Sequence, residues 1–423
     1  MQVYKFGGAS IKNVEGIKNV IQIIQSYGAK NLLVVVSAMD KTTDRLQELA
    51  FAHINGNEHK HQLLEDVKNF HFDIIGKLFT DTNNPVYNDV ANTFVEIEWL
   101  LEEDAADTAD YLYDQIVAVG ELVSSKIIAA YLNQQGTFCV WQDARNYIQT
   151  DNNYREANVQ WDKTTKEIQK HLPTYLAQGV VLTQGFIGAT SENFTATLGR
   201  EGSDYSAAIF SAALDAEKMT IWKDVPGVLN ADPKWFDETE KIPQLSYRDA
   251  IELTYYGATV IHPKTIKPIQ NKSIPLYVRS FIHPQEAGTE ISSEATTIPI
   301  ASFIFKVNQV LLSISPKDFS FIIEENLSHI FAIFHKNKVK VNTMLNSAIS
   351  FSVSVDDDER KIANLISDLS EDFKVKYNKE MELVTIRYYN QETIDRVTVN
   401  KKVWLEVKSR NTCQIVMKNA TNP

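Results

Sequence analysis

Short apolar runs alternate with helical patterns along about the first 288 residues, and this alternation restricts the possible folds more than any other feature. The runs are nearly continuous in Val, Leu and Ile, which is typical of strands buried on both faces. They occupy residues 31–37, 138–141, 179–184, 219–222 and 274–278. Strands separated by helices predict an α/β sandwich, in which helices cover both faces of a mostly parallel sheet.

The character of the sequence changes after this region. Residues 287–300 are small and polar, which is typical of a domain boundary. The segments beyond them follow the order β-α-β-β-α-β, and 423 residues are enough for two or three domains. We therefore predict a large domain over residues 1–290, a small domain over residues 303–380, and a further small unit over residues 381–423.

The first strand leads directly into a pair of glycines. Val3 and Phe6 favour a strand, and Gly7-Gly8 permit a tight turn before a helical pattern begins. Backbone N–H groups at such a turn point towards an anion, and Lys5 would add a positive charge. The segment therefore predicts a phosphate site, and the alternative is a simple β-to-α turn with a surface lysine.

A second glycine-rich segment, GREGSD from Gly199, precedes another helical pattern. Ser203 and Asp204 suit the first turn of a helix, and Arg200 can bind a carboxylate or phosphate through two parallel hydrogen bonds. Further on, a strand enters a turn that contains Asp224, which suits the nucleotide side of a site. Neither a Walker A motif nor a G-x-G-x-x-G fingerprint occurs, so neither a P-loop NTPase nor an ordinary dinucleotide-binding fold is indicated.

These segments together closely resemble the amino-acid kinase superfamily and, within it, the aspartate kinases. The resemblance covers essentially the whole chain and includes a Gly-Glu-Leu segment at residues 119–125, TQGFIG at 183–188 and GATVIHPKT at 257–265. It implies an amino-acid kinase three-layer sandwich followed by an ACT-like regulatory region of the ferredoxin-like βαββαβ type. It also implies transfer of the γ-phosphoryl group of ATP to the β-carboxylate of L-aspartate, the first step of lysine, threonine and methionine biosynthesis.

The resemblance assigns a role to each site residue. Catalysis would fall to Lys5, which neutralises the transferred phosphoryl group, and to Asp204, which fixes Lys5. Arg200 would bind the α-carboxylate of aspartate and Glu121 its α-ammonium group. The remaining substrate-binding residues would be Thr43 and Ser203. ATP would be bound by Lys5, Gly7, Gly8, Ser10, Lys223, Asp224, Leu229, Lys234 and Thr259. No protein metal site is implied, because Mg²⁺ would arrive with the nucleotide and bridge its phosphates.

The chain departs from the common family pattern at several of these positions. Many aspartate kinases have lysine where Thr259 stands, threonine and tyrosine at Lys223 and Leu229, and arginine at Lys234. A neutral threonine cannot stabilise phosphate charge. We hypothesise that Lys223 replaces the missing cation, with Lys264 as a second candidate.

Composition limits the possible partners and locations. A net charge of −12 disfavours a nucleic-acid or anionic membrane surface, and two cysteines do not indicate a disulfide framework or a zinc site. The N-terminus lacks a signal pattern and no apolar run approaches ~20 residues, so we expect a soluble cytoplasmic protein. Because the chain ends at Pro423, we expect no fused homoserine dehydrogenase. The histidines at 53, 59, 61 and 71 and the acidic stretch 96–114 are expected on solvated surfaces.

Two functions of different classes stay open. One is an active aspartate kinase, and the other is a catalytically weak or inactive relative retained as an ACT-mediated amino-acid-sensing binding protein. The presence of every charged site residue favours the enzyme. Glutamate 5-kinase, acetylglutamate kinase and uridylate kinase are competing activities, which the Gly-Glu-Leu segment and the ACT-like tail disfavour.

The end of the chain suggests altered regulation. Strands at residues 382–389, 402–408 and 412–418 leave too little chain for the two usual helices, so we predict a second ACT-like unit reduced to a bare sheet. Exposed edge strands would favour a homodimer joined through the ACT-like sheets. Ala348 stands where lysine-sensitive relatives tend to have glutamate, which predicts weak or absent inhibition by lysine.

Overall fold

The computed structural model describes residues 1–102, 108–236, 238–258, 261–295, 299–318 and 320–420. It divides into two compact units. The first comprises Met1–Val228, Pro243–Ile251 and Val260–Thr297, and the second comprises Leu229–Ile242, Glu252–Thr259 and Ile298–Pro423. The domain limits at residues 290, 303 and 381 stay predictions.

The first unit is an α/β structure. Its strands are β1 (Gln2–Phe6), β2 (Leu32–Val36), β3 (Cys139–Trp141), β4 (Val180–Gln184), β5 (Ile187–Ala189), β6 (Thr195–Thr197), β7 (Lys218–Lys223), β8 (Gln244–Ser246), β9 (Leu276–Ser280) and β10 (Thr289–Ser292). Its helices are α1 (Val14–Tyr27), α2 (Thr42–Ile54), α3 (Lys60–Leu78), α4 (Val86–Glu102), α5 (Ala109–Val117), α6 (Val119–Gln134), α7 (Trp161–Leu176), α8 (Gly202–Ala213), α9 (Tyr247–Tyr256), which extends into the second unit, and α10 (Pro263–Asn271).

The main sheet has eight strands in the order β3-β4-β2-β1-β7-β9-β10-β8. Its central pairs, β4-β2, β2-β1, β1-β7 and β7-β9, are all parallel, whereas β9 and β10 are antiparallel. Every residue of β2 and β4 is buried, as expected for strands covered on both faces. The predicted parallel α/β sandwich is therefore confirmed. The carboxyl ends of β1, β2, β4 and β7 lie in register at one edge, where ligands bind in sheets of this kind.

The expectation of solvated surfaces is wrong for three residues. The exposed fraction is 3% for His53 and zero for His71 and Asp114. On α3, His71 lies four residues after Val67 and three residues before Ile74, so it is on the same buried face of the helix. Its ring packs against Phe94, with 5.8 Å between the ring centres. Helical spacing was therefore a better guide to burial than residue type.

One helical stretch of this unit is long and apolar. By length and composition alone, the stretch Ala109–Gln134 could cross a membrane. However, 83% of its most apolar window is buried inside the protein, which is typical of a core helix. The cytoplasmic location stays a prediction.

The second unit is built on one antiparallel sheet of six strands in the order β12-β13-β11-β14-β16-β15. The strands are β11 (Ser302–Pro316), β12 (Val341–Asn346), β13 (Phe351–Asp356), β14 (Phe373–Arg387), β15 (Lys401–Lys408) and β16 (Thr412–Asn419). The helices are α11 (Glu324–Lys336), α12 (Glu359–Asp372) and α13 (Gln391–Thr398). The elements β11 to β14 follow the predicted βαββαβ order of an ACT-like region.

The prediction of a bare sheet at the end of the chain is wrong, because α13 is present. The helix has eight residues, and its first turn is fixed by the Thr393 N–H, which donates to the Asn390 side chain over 2.8 Å. Ile394 and Val397 bury its one apolar stripe. So short a helix with a single apolar pair gives little periodic signal, which explains the wrong prediction.

The buried His71 predicts a pH-dependent stability. Burial lowers the pKa of His71 to about 4, whereas an unfolded histidine titrates near 6.5. The unfolded state therefore binds a proton first as the pH falls, and this part of the stability is present above pH 6.5 and is lost towards pH 4. Urea unfolding is measured at pH 7 and at pH 5. Between these two pH values the free energy of unfolding of the wild type should fall by ~2 kcal/mol more than that of His71→Leu. The matched control His59→Leu, at an exposed histidine, should keep the wild-type pH dependence; an unchanged pH dependence in His71→Leu would contradict the prediction.

Candidate active site

A cavity of about 730 Å³ opens at the carboxyl-terminal edge of the main sheet, within the first unit. It contains all six of the predicted catalytic and substrate-binding residues. The lining residues are Lys5, Ser37, Thr43, Asp44, Gln47, Tyr113, Glu121, Arg155, Glu156, Phe186, Thr197, Gly199, Arg200, Glu201, Gly202, Ser203 and Asp204. A second cavity, of about 600 Å³ along α7, α8 and α10, contains none of the predicted catalytic, substrate-binding or ATP-binding residues. Its lining does include Lys264, the second candidate for the missing cation.

A buried ion pair lies at the inner end of the cavity. The Nζ atom of Lys5, on β1, is 2.6 Å from Oδ1 of Asp204 in the first turn of α8. The Nζ atom of Lys223, the last residue of β7, is 3.6 Å from Oδ2 of the same carboxylate. Burial alone would raise the pKa of Asp204, but the two ammonium groups outweigh that effect and hold the pKa below its usual value. The site therefore keeps a carboxylate between two cations.

The predicted glycine turn lies directly beside this pair. A Cβ atom on Gly7 would lie 3.4 Å from the Lys5 Nζ atom. A Cβ atom on Gly8 would lie 2.8 Å from the Ala38 carbonyl oxygen and 2.9 Å from that of Asp40, which is closer than side chains tolerate. Ser10 follows in the same short helical turn, and α1 begins only at Val14. Glycine is therefore needed at position 8 because the turns after β1 and β2 touch.

Glu121, in the first turn of α6, lines the cavity and is 2% exposed. Its Oε1 atom accepts a hydrogen bond from the Ala38 N–H over 3.3 Å, and its buried Oε2 atom has no hydrogen-bond partner among the described residues. Burial raises the pKa of Glu121 to about 8, against the opposing effects of the Ala38 N–H and the Lys5 charge. A carboxylate left so incompletely satisfied is suited to binding a cationic ligand group.

The remaining predicted substrate residues approach the cavity from two other elements. Thr43 lies in the first turn of α2, and Ser203 in the first turn of α8. A Cβ atom on Gly185 would lie 2.5 Å from that of Ser203, so the glycine after β4 lets α8 approach the sheet. Arg200 is exposed at the mouth of the cavity, in the turn that precedes the helix.

The structure does not bring all the predicted nucleotide residues to this cavity. Asp224 is exposed just after β7, and Lys223 reaches the cavity only through its contact with Asp204. Leu229 and Lys234 belong to the second unit, where Leu229 pairs with Lys241 in an isolated bridge. Thr259 lies outside the described residues. The nucleotide-binding assignments therefore stay predictions.

Sequence reasoning did not find Tyr113, Arg155 or the buried Asp114 behind them. Asp114 lies between Leu112–Tyr113 and Ile116–Val117 in α5, and these buried neighbours were the one signal that could have marked it as buried. Arg155 lies in an irregular segment that matches no motif, so no sequence pattern pointed to it. Both are placed by contacts between segments far apart in the chain.

Comparison with known proteins gives a consistent result. The profile of the amino acid kinase family matches residues 1–280. Lysine-sensitive aspartokinase 3 of Escherichia coli is 29% identical over 355 residues, which cover 84% of this chain and 78% of that protein. The chloroplastic bifunctional aspartokinase/homoserine dehydrogenase 1 of Arabidopsis thaliana is 33% identical over 300 residues, which cover 68% of this chain. The match covers 32% of that longer protein.

A solved structure shares the architecture of almost the whole chain. Escherichia coli aspartokinase III, crystallised with aspartate and ADP in its R-state, aligns with a TM-score of 0.83 at 25% identity. The alignment covers 99% of this chain and 96% of that chain.

The crowded turn predicts the effect of a single methyl group. In Gly8→Ala the added Cβ would meet two backbone carbonyl oxygens, which cannot move independently of the sheet, so the free energy of unfolding should fall by about 1–3 kcal/mol. Gly76→Ala is the matched control, because nothing lies within 4 Å of a Cβ atom on this exposed residue of α3. That control should gain up to ~1 kcal/mol. Equal effects in chemical denaturation would contradict the proposed close approach.

Proposed function

This chain belongs to the amino acid kinase family, and we infer that it is an aspartate kinase, which transfers the γ-phosphoryl group of ATP to the β-carboxylate of L-aspartate. The observation that carries this inference is the buried Lys5–Asp204 pair in the same cavity as Glu121 and Arg200. These groups match a substrate with two carboxylates and one ammonium group. The names of the Escherichia coli and Arabidopsis relatives support the same activity.

The chemistry needs positioned charge more than proton transfer. The β-carboxylate of aspartate is already ionised at neutral pH and can attack phosphorus without a general base. Lys5 can neutralise charge on the transferred phosphoryl group, while Asp204 fixes its ammonium group at 2.6 Å. Because Asp204 stays charged, it can hold Lys5 in place without taking a proton from the reaction.

Substrate recognition would use the two ends of the amino acid. We assign the α-ammonium group to Glu121, whose free Oε2 atom it would satisfy, and the α-carboxylate to Arg200. An ammonium group beside Glu121 would favour its ionised form, and burial has made that form costly in the free protein. Thr43 and Ser203 would supply hydroxyl groups to the remaining carboxylate oxygens.

On the nucleotide side we propose ATP as the phosphoryl donor, with the glycine turn at its phosphates. Among the residues that the structure describes, no three acidic, histidine or cysteine side chains cluster closely enough to hold a metal ion. We propose that Mg²⁺ arrives with ATP and is held by its phosphates. The position of Lys223, 3.6 Å from Asp204, supports the hypothesis that it replaces the cation missing at Thr259.

An ADP-release assay tests the proposed function. Aspartate, glutamate, N-acetylglutamate and UMP are offered separately with ATP, and only aspartate should support turnover. ADP release with another acceptor alone would assign a different activity within the family. Binding of an amino acid without any ADP release would support the alternative, a binding protein that senses amino acids through its ACT-like region.

Lys5 should affect turnover more than substrate binding. In Lys5→Ala, kcat should fall by two to three orders of magnitude, equivalent to roughly 3–4 kcal/mol of transition-state stabilisation, with a small change in the KM for aspartate. Lys68→Ala is the matched control, because Lys68 also forms close ion pairs, with Glu65 and Glu98 at 2.7 Å, but lies outside the cavity. Near-normal kcat in a folded Lys5→Ala protein would contradict the role of Lys5.

The second unit is the basis for our proposals about regulation and assembly. The edge strands β12 and β15 carry exposed apolar side chains, including Met344 and Leu345 on the first and Val403 and Trp404 on the second. We propose that the protein is a homodimer joined through this sheet. We also propose weak or absent inhibition by lysine, because Ala348 lacks a carboxylate for the effector.

Two measurements test these proposals. Light scattering should give twice the mass of one chain. Half-inhibition by submillimolar lysine in a dose-response assay would contradict the regulatory part, and a monomer would contradict the assembly.

A further inference from the structure

Arg155 is held in the cavity wall in an unusual backbone conformation. Its φ is +69°, in the left-handed region that non-glycine residues seldom adopt. The surrounding contacts must hold a residue in this unfavourable conformation, and such residues concentrate at functional sites. Arg155 belongs to no regular element, so its position depends on the contacts of its backbone and side chain.

The backbone of Arg155 is fixed by a buried carboxylate. Its N–H donates to Oδ2 of Asp114 over 2.9 Å. The Thr197 N–H donates to the same oxygen over 2.8 Å, and the Thr197 hydroxyl donates to Oδ1 over 2.7 Å. Thr197 is the last residue of β6 and lies three residues before Arg200. One fully buried side chain therefore ties the segment that carries Arg155 to the segment that carries Arg200.

The side chain of Arg155 is directed by an aromatic ring. Its guanidinium carbon is 4.3 Å from the centre of the Tyr113 ring, and the Tyr113 hydroxyl donates to Gln47 over 3.2 Å. A second contact joins Nη1 to Oδ1 of Asp110 at 3.4 Å. The Arg155 side chain is 42% exposed and that of Asp110 is 61% exposed, so this surface ion pair is weak and leaves the guanidinium available to a ligand.

Charge in the cavity points to the ligand group. Lys5 is committed to Asp204 at the inner end, where the reacting carboxylate must meet the phosphoryl group. Any second carboxylate of the substrate must be bound elsewhere, and the other cations lining the cavity are Arg155 and Arg200. A carboxylate has two oxygens and can accept hydrogen bonds from two guanidinium groups at once.

We propose that Arg155 is a second binding residue for the α-carboxylate of the amino-acid substrate, and that Asp114 is the positioning residue that sets Arg155 and Arg200 relative to each other. This inference rests on the proposed function. On this view, specificity for a substrate with a carboxylate at both ends is determined by two guanidinium groups acting together, and not by Arg200 alone.

Arg155→Gln tests the first part. It should raise the KM for aspartate more than about tenfold, change kcat less than about threefold, and leave the affinity for ATP, measured without aspartate, unchanged. Arg45→Gln is a closely matched control. Arg45 is 40% exposed, pairs with Asp40 at 3.6 Å and stacks on Phe70 at 5.0 Å, but it does not line the cavity.

A substrate analogue identifies the carboxylate involved. The α-amide of aspartate lacks the α-carboxylate charge, and its kcat/KM should be lower than that of aspartate in the wild type. In Arg155→Gln this penalty should shrink at least about fivefold, because the lost partner can no longer discriminate between the two groups. An equal penalty in both proteins, or an unchanged KM for aspartate, would overturn the assignment.

The positioning role of Asp114 needs a separate test. Asp114→Ala should raise the KM for aspartate, and Asp114→Asn, which keeps an acceptor oxygen for the two N–H groups, should recover most of the loss. Adding Asp114→Ala to Arg155→Gln should raise KM much less than it does in the wild type, since both changes remove the same contact. Fully multiplicative effects, or no difference between the alanine and asparagine variants, would overturn this role.

The experiments distinguish a failure of the proposed function from a failure of the role assigned to Arg155. If the wild-type protein does not phosphorylate aspartate, the proposed function is wrong and the inference about Arg155 falls with it. If the wild type is active and Arg155→Gln behaves like Arg45→Gln, only the inference about Arg155 is wrong.

Discussion

The contact between Lys5 and Asp204 is the constraint on which the rest of the first unit depends. Two opposite charges in an almost water-free position stabilise the protein only when they meet closely, because each alone would lose its hydration. Their contact requires the first turn of α8 to lie against the ends of β1 and β7. Gly185 makes this approach possible, and the crowded turn at Gly8 completes the same corner. The glycines of these two turns thus serve the packing around a charge pair as well as any ligand.

Much of this arrangement could be predicted because its signals are local. Continuous apolar runs predicted the parallel sheet, and short motifs drew attention to Lys5, Glu121, Arg200 and Asp204. Lys5, Arg200 and Asp204 lie where a strand meets a helix, and Glu121 lies where α5 meets α6. Arg155 and Asp114 could not be found in this way. Their positions result from hydrogen bonds between a loop, the end of β6 and the middle of α5, which are separated by about 40 residues or more. Such contacts leave no periodic or compositional trace.

Other errors have a common physical cause. His71 was expected on a surface because of its residue type, yet its neighbours on α3 place it on the buried face. The helix α13 was not expected because eight residues are too few for periodicity to be visible. In both cases packing against the rest of the chain decided the outcome, and residue type or segment length alone was misleading.

The topology of the six-stranded sheet has a consequence for the newly made chain. Residues at the start of β11 pair with residues near the end of β14, from Ser302 with Arg387 to Lys306 with Leu383. A growing polypeptide therefore presents Phe303 and Phe305 roughly 80 residues before their partners leave the ribosome. During that interval the half of the sheet containing β12 and β13 can assemble, while the apolar start of β11 still lacks its partner strand β14. Chaperone dependence and misassembly would accordingly be concentrated at this one strand, however stable the finished enzyme is.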